Sequence, residues 1–228
     1  MKKIKRLLII PAKSKSKRIK SKNIKKFYNK PIIQYPIEIA EKSRLFAKIH
    51  VSTDDLKILN IVKKFKIKKE FLRPKSLSDS KTSIHEVIKF VVKKFNERKE
   101  VYDEIWCVLP CNPLLKVSDL IQASKIFNKT KADHLISITK FPVPTEWAFE
   151  INKKDKIKIL EPEKTKMPSN KFKEKFFDAG MFYIYKTDKI FSNPKNYKIF
   201  GYKIPQYRSV DIDYKEDWDF AKKLFKIK

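Results

Sequence analysis

Hydrophobic positions along this chain fall into short continuous runs that alternate with longer stretches of helical spacing. Arg6 to Pro11 is an apolar, β-branched run closed by a polar loop, the pattern of a strand buried on both faces. Ile32 to Ser43 sets Ile33, Ile37 and Ala40 at helical spacing behind Pro31, which predicts a helix with proline at its start. Lys48 to Thr53 reads as a strand, and Asp54 to Phe65 as a helix with acidic residues in its first turn. Phe71 to Pro74 is a short extended piece. Ser83 to Asn96 is helical, with Ile84, Val87, Ile88, Val91, Val92 and Phe95 facing inward. A strand at Glu104 to Leu109, a helix at Ser118 to Asn128 and a strand at Leu135 to Thr139 complete the run. No hairpin signal interrupts the alternation over the first 140 residues. That rhythm predicts βαβ units, a parallel sheet and a three-layer α/β fold.

The rhythm breaks between Phe141 and Phe176, which hold Pro142, Pro144, Pro162 and Pro168 and the polar stretch Asn152 to Lys158. Trp147 to Ile151 and Lys156 to Leu160 read there as a hairpin in an insertion. Phe177 to Tyr185 returns to strand, and Glu216 to Phe225 is a closing helix. The chain reads as a single domain, 1–228, carrying an inserted arm at 141–176. Ligands in open α/β sheets sit at the carboxyl ends of the strands, so chemistry is sought in the loops after Ile10, Thr53, Leu109, Thr139 and Val210.

Composition changes this picture little. The 228 residues hold 55 basic and 26 acidic side chains, a formal net charge of +29, with only two glycines. Only Arg6, Arg18, Arg44, Arg73, Arg98 and Arg208 are arginines; lysine, spread evenly, supplies the rest. Even spread without an arginine-rich groove or a stacking-aromatic motif reads as compositional drift toward lysine, and no nucleic-acid partner is expected. The charge still concentrates anionic substrates. The longest apolar runs, Leu7 to Pro11 and Ile105 to Pro110, fall far short of the roughly 20 residues of a membrane span. With no leader pattern at the basic N-terminus, a cytoplasmic location is expected. Cys107 and Cys111 exclude a disulfide scaffold and a zinc ribbon, and His50, His85 and His134 have no ligand spacing. Cys107 reads as a core thiol.

Two segments carry candidate chemistry. The loop Pro11 to Asn23 concentrates Lys13, Lys15, Lys17, Arg18, Lys20 and Lys22 with Ser14, Ser16 and Ser21, a set of charge-assisted donors suited to a triphosphate. It lacks the glycines and the ending of a Walker A loop, and a solvated lysine-rich turn has the same composition. The second segment is Ser209-Val210-Asp211-Ile212-Asp213-Tyr214. On an extended segment Asp211 and Asp213 face one side, about 6.6 Å apart at about 3.3 Å per residue, and can converge on one hard cation. An acidic helix N-terminus explains Glu216 and Asp217 better than it explains this pair.

These residues carry a resemblance to the CMP-nonulosonic acid synthetase (acylneuraminate cytidylyltransferase) family. Ile10, Pro11, Ala12, Ser16, Lys17, Arg18, Ile19, Lys22 and Asn23 match its phosphate-loop signature. Val51 to Asp55, Phe71 to Pro74 and Asp211-Ile212-Asp213 match its later segments in order. Thr139 to Pro144, Glu161 to Glu163, Asp178 to Tyr183 and Val210 to Trp218 resemble the branch acting on pseudaminic acid. Three departures stand out: Lys13 replaces an arginine, Ser14-Lys15 replaces paired glycines, and Met181 replaces a glutamine.

The resemblance implies a three-layer Rossmann-like nucleotidyltransferase fold with a mainly parallel sheet. It also implies transfer of CMP from CTP to the anomeric 2-hydroxyl of a nine-carbon 2-keto acid sugar, with pyrophosphate released, for surface glycan or flagellin glycosylation. On this reading Lys13, Lys22, Asp211 and Asp213 are catalytic, and Asp211 and Asp213 hold Mg²⁺. Ala12, Lys13, Ser16, Lys17, Lys22, Asn23, Arg73, Thr82 and Ser83 bind CTP. Lys140 takes the sugar carboxylate, and Asp178, Phe182 and Tyr183 line the sugar. The arm is expected to dimerise and cap the active site of a second copy. Alternatives are a sister synthetase for sialic, legionaminic or 3-deoxy-octulosonic acid, a silent paralogue with an altered loop, and a basic RNA-binding module on the same fold.

Overall fold

The computed structural model describes residues 4–14, 16 and 18–227. Its strands are β1 (Arg6–Pro11), β2 (Lys26–Phe27), β3 (Lys30–Pro31), β4 (Lys48–Ser52), β5 (Glu104–Val108), β6 (His134–Lys140), β7 (Phe149–Ile151), β8 (Ile157–Ile159), β9 (Phe176–Lys186) and β10 (Ile199–Lys203). The helices are α1 (Gln34–Ser43), α2 (Leu56–Lys63), α3 (Ile84–Glu97), α4 (Val117–Thr130), α5 (Pro162–Thr165) and α6 (Lys215–Lys226). Six strands form the central sheet in the order β10-β6-β9-β5-β1-β4. The β1–β4, β1–β5 and β10–β6 pairs are parallel, and β9 alone runs antiparallel to both its neighbours. The sheet is thus mainly parallel, as the alternating pattern predicts.

Side chains of each central strand divide between two cores by the two-residue period of a strand. Leu8, Ile10, Trp106, Val108 and Phe182 pack with Ile37 of α1, Ile58 of α2 and Leu120 of α4 on one face. Leu7, Ile9, Ile105 and Cys107 pack with Val91 and Phe95 of α3 on the other. Full burial of each such aliphatic chain stabilises the fold by about 1.5–3 kcal/mol. Cys107 is therefore a core thiol, its acidity suppressed by burial. His50 of β4 is also buried, against Phe71 and Phe95, and neither ring nitrogen has a hydrogen-bond partner. Burial, with Lys48 and Arg98 adding to it, pushes its pKa down to about 3.

A third, smaller cluster bears directly on the site. Ile19 from the cationic loop, Phe27 of β2, Ile212 between the two aspartates, and Trp218 of α6 pack together. Phe27 stands edge-on to Tyr35, Trp218 and Phe225 at 5.3–5.6 Å with its other neighbour Tyr28. This aromatic knot fastens the loop after β1 to the segment carrying Asp211 and Asp213.

The structure differs from the sequence expectation at several elements. Pro31 lies in the two-residue bridge of β3 with β2, and α1 starts at Gln34 with Pro36 inside its first turn, where a missing N–H costs nothing. No acidic residue lies in the first turn of α2: Asp55 is its N-cap, accepting from Lys57 N at 2.8 Å, and Asp54 turns away toward the loop after β1. β10 has no counterpart in the sequence reading. It is an edge strand with Ile199 and Phe200 exposed, and at Gly201 a Cβ would lie 2.3 Å from Ile138 Cδ1, so a larger residue there needs the isoleucine side chain to shift. Between Lys140 and Phe176, which pair across β6 and β9, the chain makes the β7–β8 hairpin and the short α5.

Candidate active site

The carboxyl ends of β1 and β4 open onto a cleft of about 560 Å³ lined by Lys13, Ser16, Arg18, Lys22, Ser78, Asp79, Ser80 and Asp213. One wall is the loop after β1. Its base is fixed by the Ala12 N–H donating to Ser52 O at 2.9 Å, and by Asn23, whose Nδ2 donates to Lys13 O at 2.9 Å. The Cys111 thiol in turn donates to Asn23 Oδ1 at 3.4 Å. Asn23 is buried, both ends of its amide are engaged, and in this structure it braces the loop. The Ala12 side chain is fully buried and its N–H is committed to β4.

Ser14, which stands where the resemblance puts a glycine, does not take a left-handed conformation; among the described residues near it, Ser21 does, at φ 53°. Ser14 instead grips Asp54. Its N–H donates to Oδ1 at 2.8 Å and its hydroxyl to Oδ2 at 2.5 Å. Burial alone pushes the Asp54 carboxyl up, but these two bonds and the nearby Arg73 hold it below its ordinary range. Arg73 Nη2 stands 4.0 Å from Asp54, and the guanidinium is buried with Nε and Nη2 lacking partners. Buried donors without a partner are costly, and these two have none among the described residues.

The opposite wall is the turn Ser78 to Ser80. Lys13 Nζ spans the cleft to Asp79 O at 3.1 Å. Thr82 and Ser83, expected at the nucleotide, are occupied locally. The Thr82 hydroxyl donates to Asp79 Oδ1 at 2.7 Å, and Ser83 makes a capping box with Glu86 at the start of α3. They shape the turn that lines the cleft.

Asp213 closes the third side. Arg18 Nη2 lies 2.7 Å from its Oδ2, and Lys22 Nζ 3.2 Å from its Oδ1 while also donating to Ile212 O at 2.5 Å. Asp211 lies two residues earlier. Its carboxyl is held above the usual carboxylate range, first by loss of solvent around the group and then by the like charge of Asp213. The structure therefore brings together Lys13, Ser16, Lys22 and Asp213 around one cleft, with Asp211 beside it. Lys17 lies outside the described residues. Arg18 and Ser14, named in the sequence only as loop donors, and Asp54, named only within a matching segment, gain specific partners here, and Asp79 is a lining residue that the sequence does not single out.

The four expected sugar residues separate. Lys140 ends β6 and pairs with Glu174 at 2.6 Å, exposed, in a second cleft of about 320 Å³ formed with the arm. Phe182 is a correction: it is fully buried between Trp106 and Tyr202 and lines no surface. Successive strand residues face opposite ways, so Phe182 and Tyr183 cannot share a pocket wall. Tyr183 is half-buried and donates to Asp178 Oδ2 at 2.7 Å. Asp178 Oδ1 accepts from Gly180 N at 2.8 Å, where Gly180 takes φ +61° with open space around it, so conformation is what demands glycine there. Between Asp178 and Tyr183, β9 bulges against β6 and turns the Gly180 carbonyl onto Asn112 Nδ2 at 3.1 Å.

Residues 7–227 match the family model described as "Cytidylyltransferase". The chain belongs to the cytidylyltransferase family. Among its relatives is pseudaminic acid cytidylyltransferase of Campylobacter jejuni subsp. jejuni serotype O:2, 32% identical over 98% of this chain and 97% of the relative. CMP-N,N'-diacetyllegionaminic acid synthase of Legionella pneumophila is 26% identical over 97% of this chain and 96% of that protein. Among solved structures, CMP:2-keto-3-deoxy-manno-octonic acid synthetase complexed with CTP shares the fold, with a TM-score of 0.72 at 15% identity over 98% of this chain and 99% of that one. As a cytidylyltransferase, the chain places its cationic loop where the fold class opens its crevice, at the carboxyl edge of the sheet. Among the described residues no helix is long and apolar enough to cross a membrane.

Proposed function

We propose that this cytidylyltransferase transfers CMP from CTP to the anomeric 2-hydroxyl of pseudaminic acid, giving CMP-pseudaminic acid and pyrophosphate. One observation carries the reading: the cationic loop after β1 and the Asp211–Asp213 segment meet at a single cleft. The similarity to pseudaminic acid cytidylyltransferase over nearly the whole of both chains supports the choice of sugar. In the reaction the sugar oxygen forms a bond to the α-phosphorus as the bond from that phosphorus to the α–β bridging oxygen breaks. Lys13, Arg18 and Lys22 line the cleft and offset the charge of the β- and γ-phosphates and of the leaving pyrophosphate. Arg73, with two buried donors unpaired, is suited to an acceptor on the cytosine. The Tyr183–Asp178 pair is assigned to the sugar by the resemblance, and Lys140 would be the cation for its carboxylate once freed from Glu174.

Asp211 and Asp213 fit Mg²⁺. Their carboxylates, with Asp213 held by Arg18 and Lys22, lie beside the phosphate-binding loop and would offer the hard oxygen donors that this ion takes. Mg²⁺ held by one or two carboxylates takes its other donors from substrate phosphates and water. When bound, the ion supplies charge neutralisation at the α-phosphate and acidifies the attacking hydroxyl.

The arm is the surface for a second copy. On the β7–β8 hairpin Phe149 pairs with Ile159 and Ile151 with Ile157, four exposed apolar chains on one face, while Glu150 and Lys158 pair on the other. A homodimer that buries this face keeps it from water. The reading places the enzyme in the cytoplasm, beside its CTP supply.

The test is pyrophosphate release by purified protein with CTP and Mg²⁺, against pseudaminic, legionaminic and N-acetylneuraminic acids and a no-sugar control. Release with pseudaminic acid alone is expected. Release with another sugar keeps the chemistry and overturns the substrate; silence beside an active control enzyme overturns both.

A further inference from the structure

The segment that carries Asp211 and Asp213 belongs to no β ladder. After β10 the chain makes a single turn at Gln206–Arg208 and then crosses the carboxyl edge of the sheet as an irregular strap to the start of α6. Its far end is well held: Ile212 is buried in the aromatic knot, and Asp213 N donates to Asp217 Oδ2 at 3.0 Å. Its near end has one strong anchor. Arg208, three residues before Asp211, is buried, and its fork donates to both oxygens of buried Asp119, at 2.5 and 3.0 Å. Asp119 lies in the first turn of α4 and also accepts from Lys116 N at 2.9 Å and from the Tyr202 hydroxyl at 3.1 Å. Other contacts at this end are Ser209 Oγ donating to Ala179 O at a long 3.4 Å, Ser209 N closing the local turn on Gln206 O at 3.0 Å, and half-buried Val210 against the aromatic knot.

We infer that Arg208, with Asp119 and Tyr202, is a positioning clamp that sets where Asp211 stands relative to Asp213 and the phosphate loop. The inference rests on the cytidylyltransferase reading of that aspartate pair. A buried ion pair is weak evidence of stability, since its desolvation cost offsets its attraction. What a planar fork on a buried carboxylate adds is geometry. The clamp fixes the strap to the rigid end of a helix rooted in the main core, so the two aspartates arrive from different anchors: Asp213 from α6, Asp211 from α4. Among the described residues the Arg208 Nε is buried without a partner.

Two variants test it. Arg208→Lys keeps the charge and loses the fork. Asp119→Leu with Arg208→Met removes both charges together and so keeps the fold where a single removal leaves a buried charge unpaired. Each is checked for thermal stability, for CTP affinity in EDTA, for Mn²⁺ affinity of the CTP complex by electron paramagnetic resonance, and for hydrogen exchange over residues 205–213. The expected result is a folded protein with parental CTP affinity, faster exchange in the strap, Mn²⁺ binding weaker by about 10-fold or more, and a fall in kcat with KM for CTP unchanged. A folded variant with parental Mn²⁺ binding, kcat and strap exchange overturns the clamp. The unsubstituted chain serves as the separate control: if it neither binds Mn²⁺ with CTP nor releases pyrophosphate, the enzymatic reading falls, and the exchange measurement alone still decides the clamp.

Discussion

The cleft after β1 and the arm between β6 and β9 lie along the same edge of the sheet and are built in opposite ways. Around the cleft nearly every polar group is engaged: Ser14 with Asp54, Asn23 with Lys13 and Cys111, and Asp213 with Arg18 and Lys22. In the arm, Phe149, Ile151, Ile157, Ile159, Leu160 and Met167 are all exposed. One region is complete within a single chain, and the other leaves apolar surface for something to cover. Preorganisation is worth most where charge develops during a reaction, and uncovered apolar area where surfaces meet.

The contrast can be broken most severely at Asp211. Asp211→Asn should lower turnover on the order of a hundred-fold or more while the protein becomes no less stable. The sign follows from the raised pKa: a carboxyl held above its unfolded value contributes stability below that value and loses it as pH rises through the folded one. At neutral pH the ionised group is therefore a cost that asparagine removes. Turnover assays beside thermal melts check both halves, and a variant that stays active ends the metal role.

Next in size comes the arm. On the proposed assembly the unsubstituted protein should sediment as a dimer at micromolar concentration, and Phe149→Ser with Ile157→Ser as a folded monomer. If the mass does not change, the exposed face has another occupant. Lys13→Arg sharpens the other side. A planar fork in place of an ammonium should tighten CTP by up to the roughly 1.5–3 kcal/mol of a charge-assisted bond, read by calorimetry with CTP alone. An unchanged or weaker affinity means that the loop, with Lys13 on Asp79 O, is fitted to lysine.

The smallest effect belongs to neither region. His50→Leu removes two buried, unpaired ring nitrogens and should raise Tm by a few degrees. Because the His50 pKa is lowered to about 3, its contribution is present above about 6.5 and lost as pH falls toward 3. The acid limb of a stability–pH curve should flatten in that window, and an unchanged limb assigns the loss to other groups.

How far the sequence alone could be read follows from burial. β1 and β5 were legible because a strand covered on both faces is nearly continuously apolar, and edge strand β4 and the alternating β6 were legible from their short β-branched runs between helical stretches. β10 was not, since an edge strand with Ile199 and Phe200 in solvent has no such run. The antiparallel direction of β9 was also hidden, because a two-residue period is the same in either direction. At the site, the cationic loop and the paired aspartates stand out by charge and spacing. The Ser14–Asp54 grip depends on a contact across forty residues, which no local pattern announces. Arginine usage did carry information. Five of the six arginines lie within 4.0 Å of a carboxylate: Arg6, Arg18, Arg73, Arg98 and Arg208. Among them Arg208 alone sets two guanidinium nitrogens on the two oxygens of one carboxylate within 3.0 Å.

The rung between Lys140 and Phe176 has a consequence for engineering. Because β9 returns antiparallel beside β6, the arm leaves and re-enters the sheet at adjacent positions, and its two ends are stapled by ladder bonds before any of its own structure begins. Such an excursion is a cassette. Its length and sequence are free to change without altering the register of the strands beneath it, since closing a longer loop costs only about 0.6 kcal/mol per doubling. A different excursion grafted at this rung should leave the nucleotide face as it was.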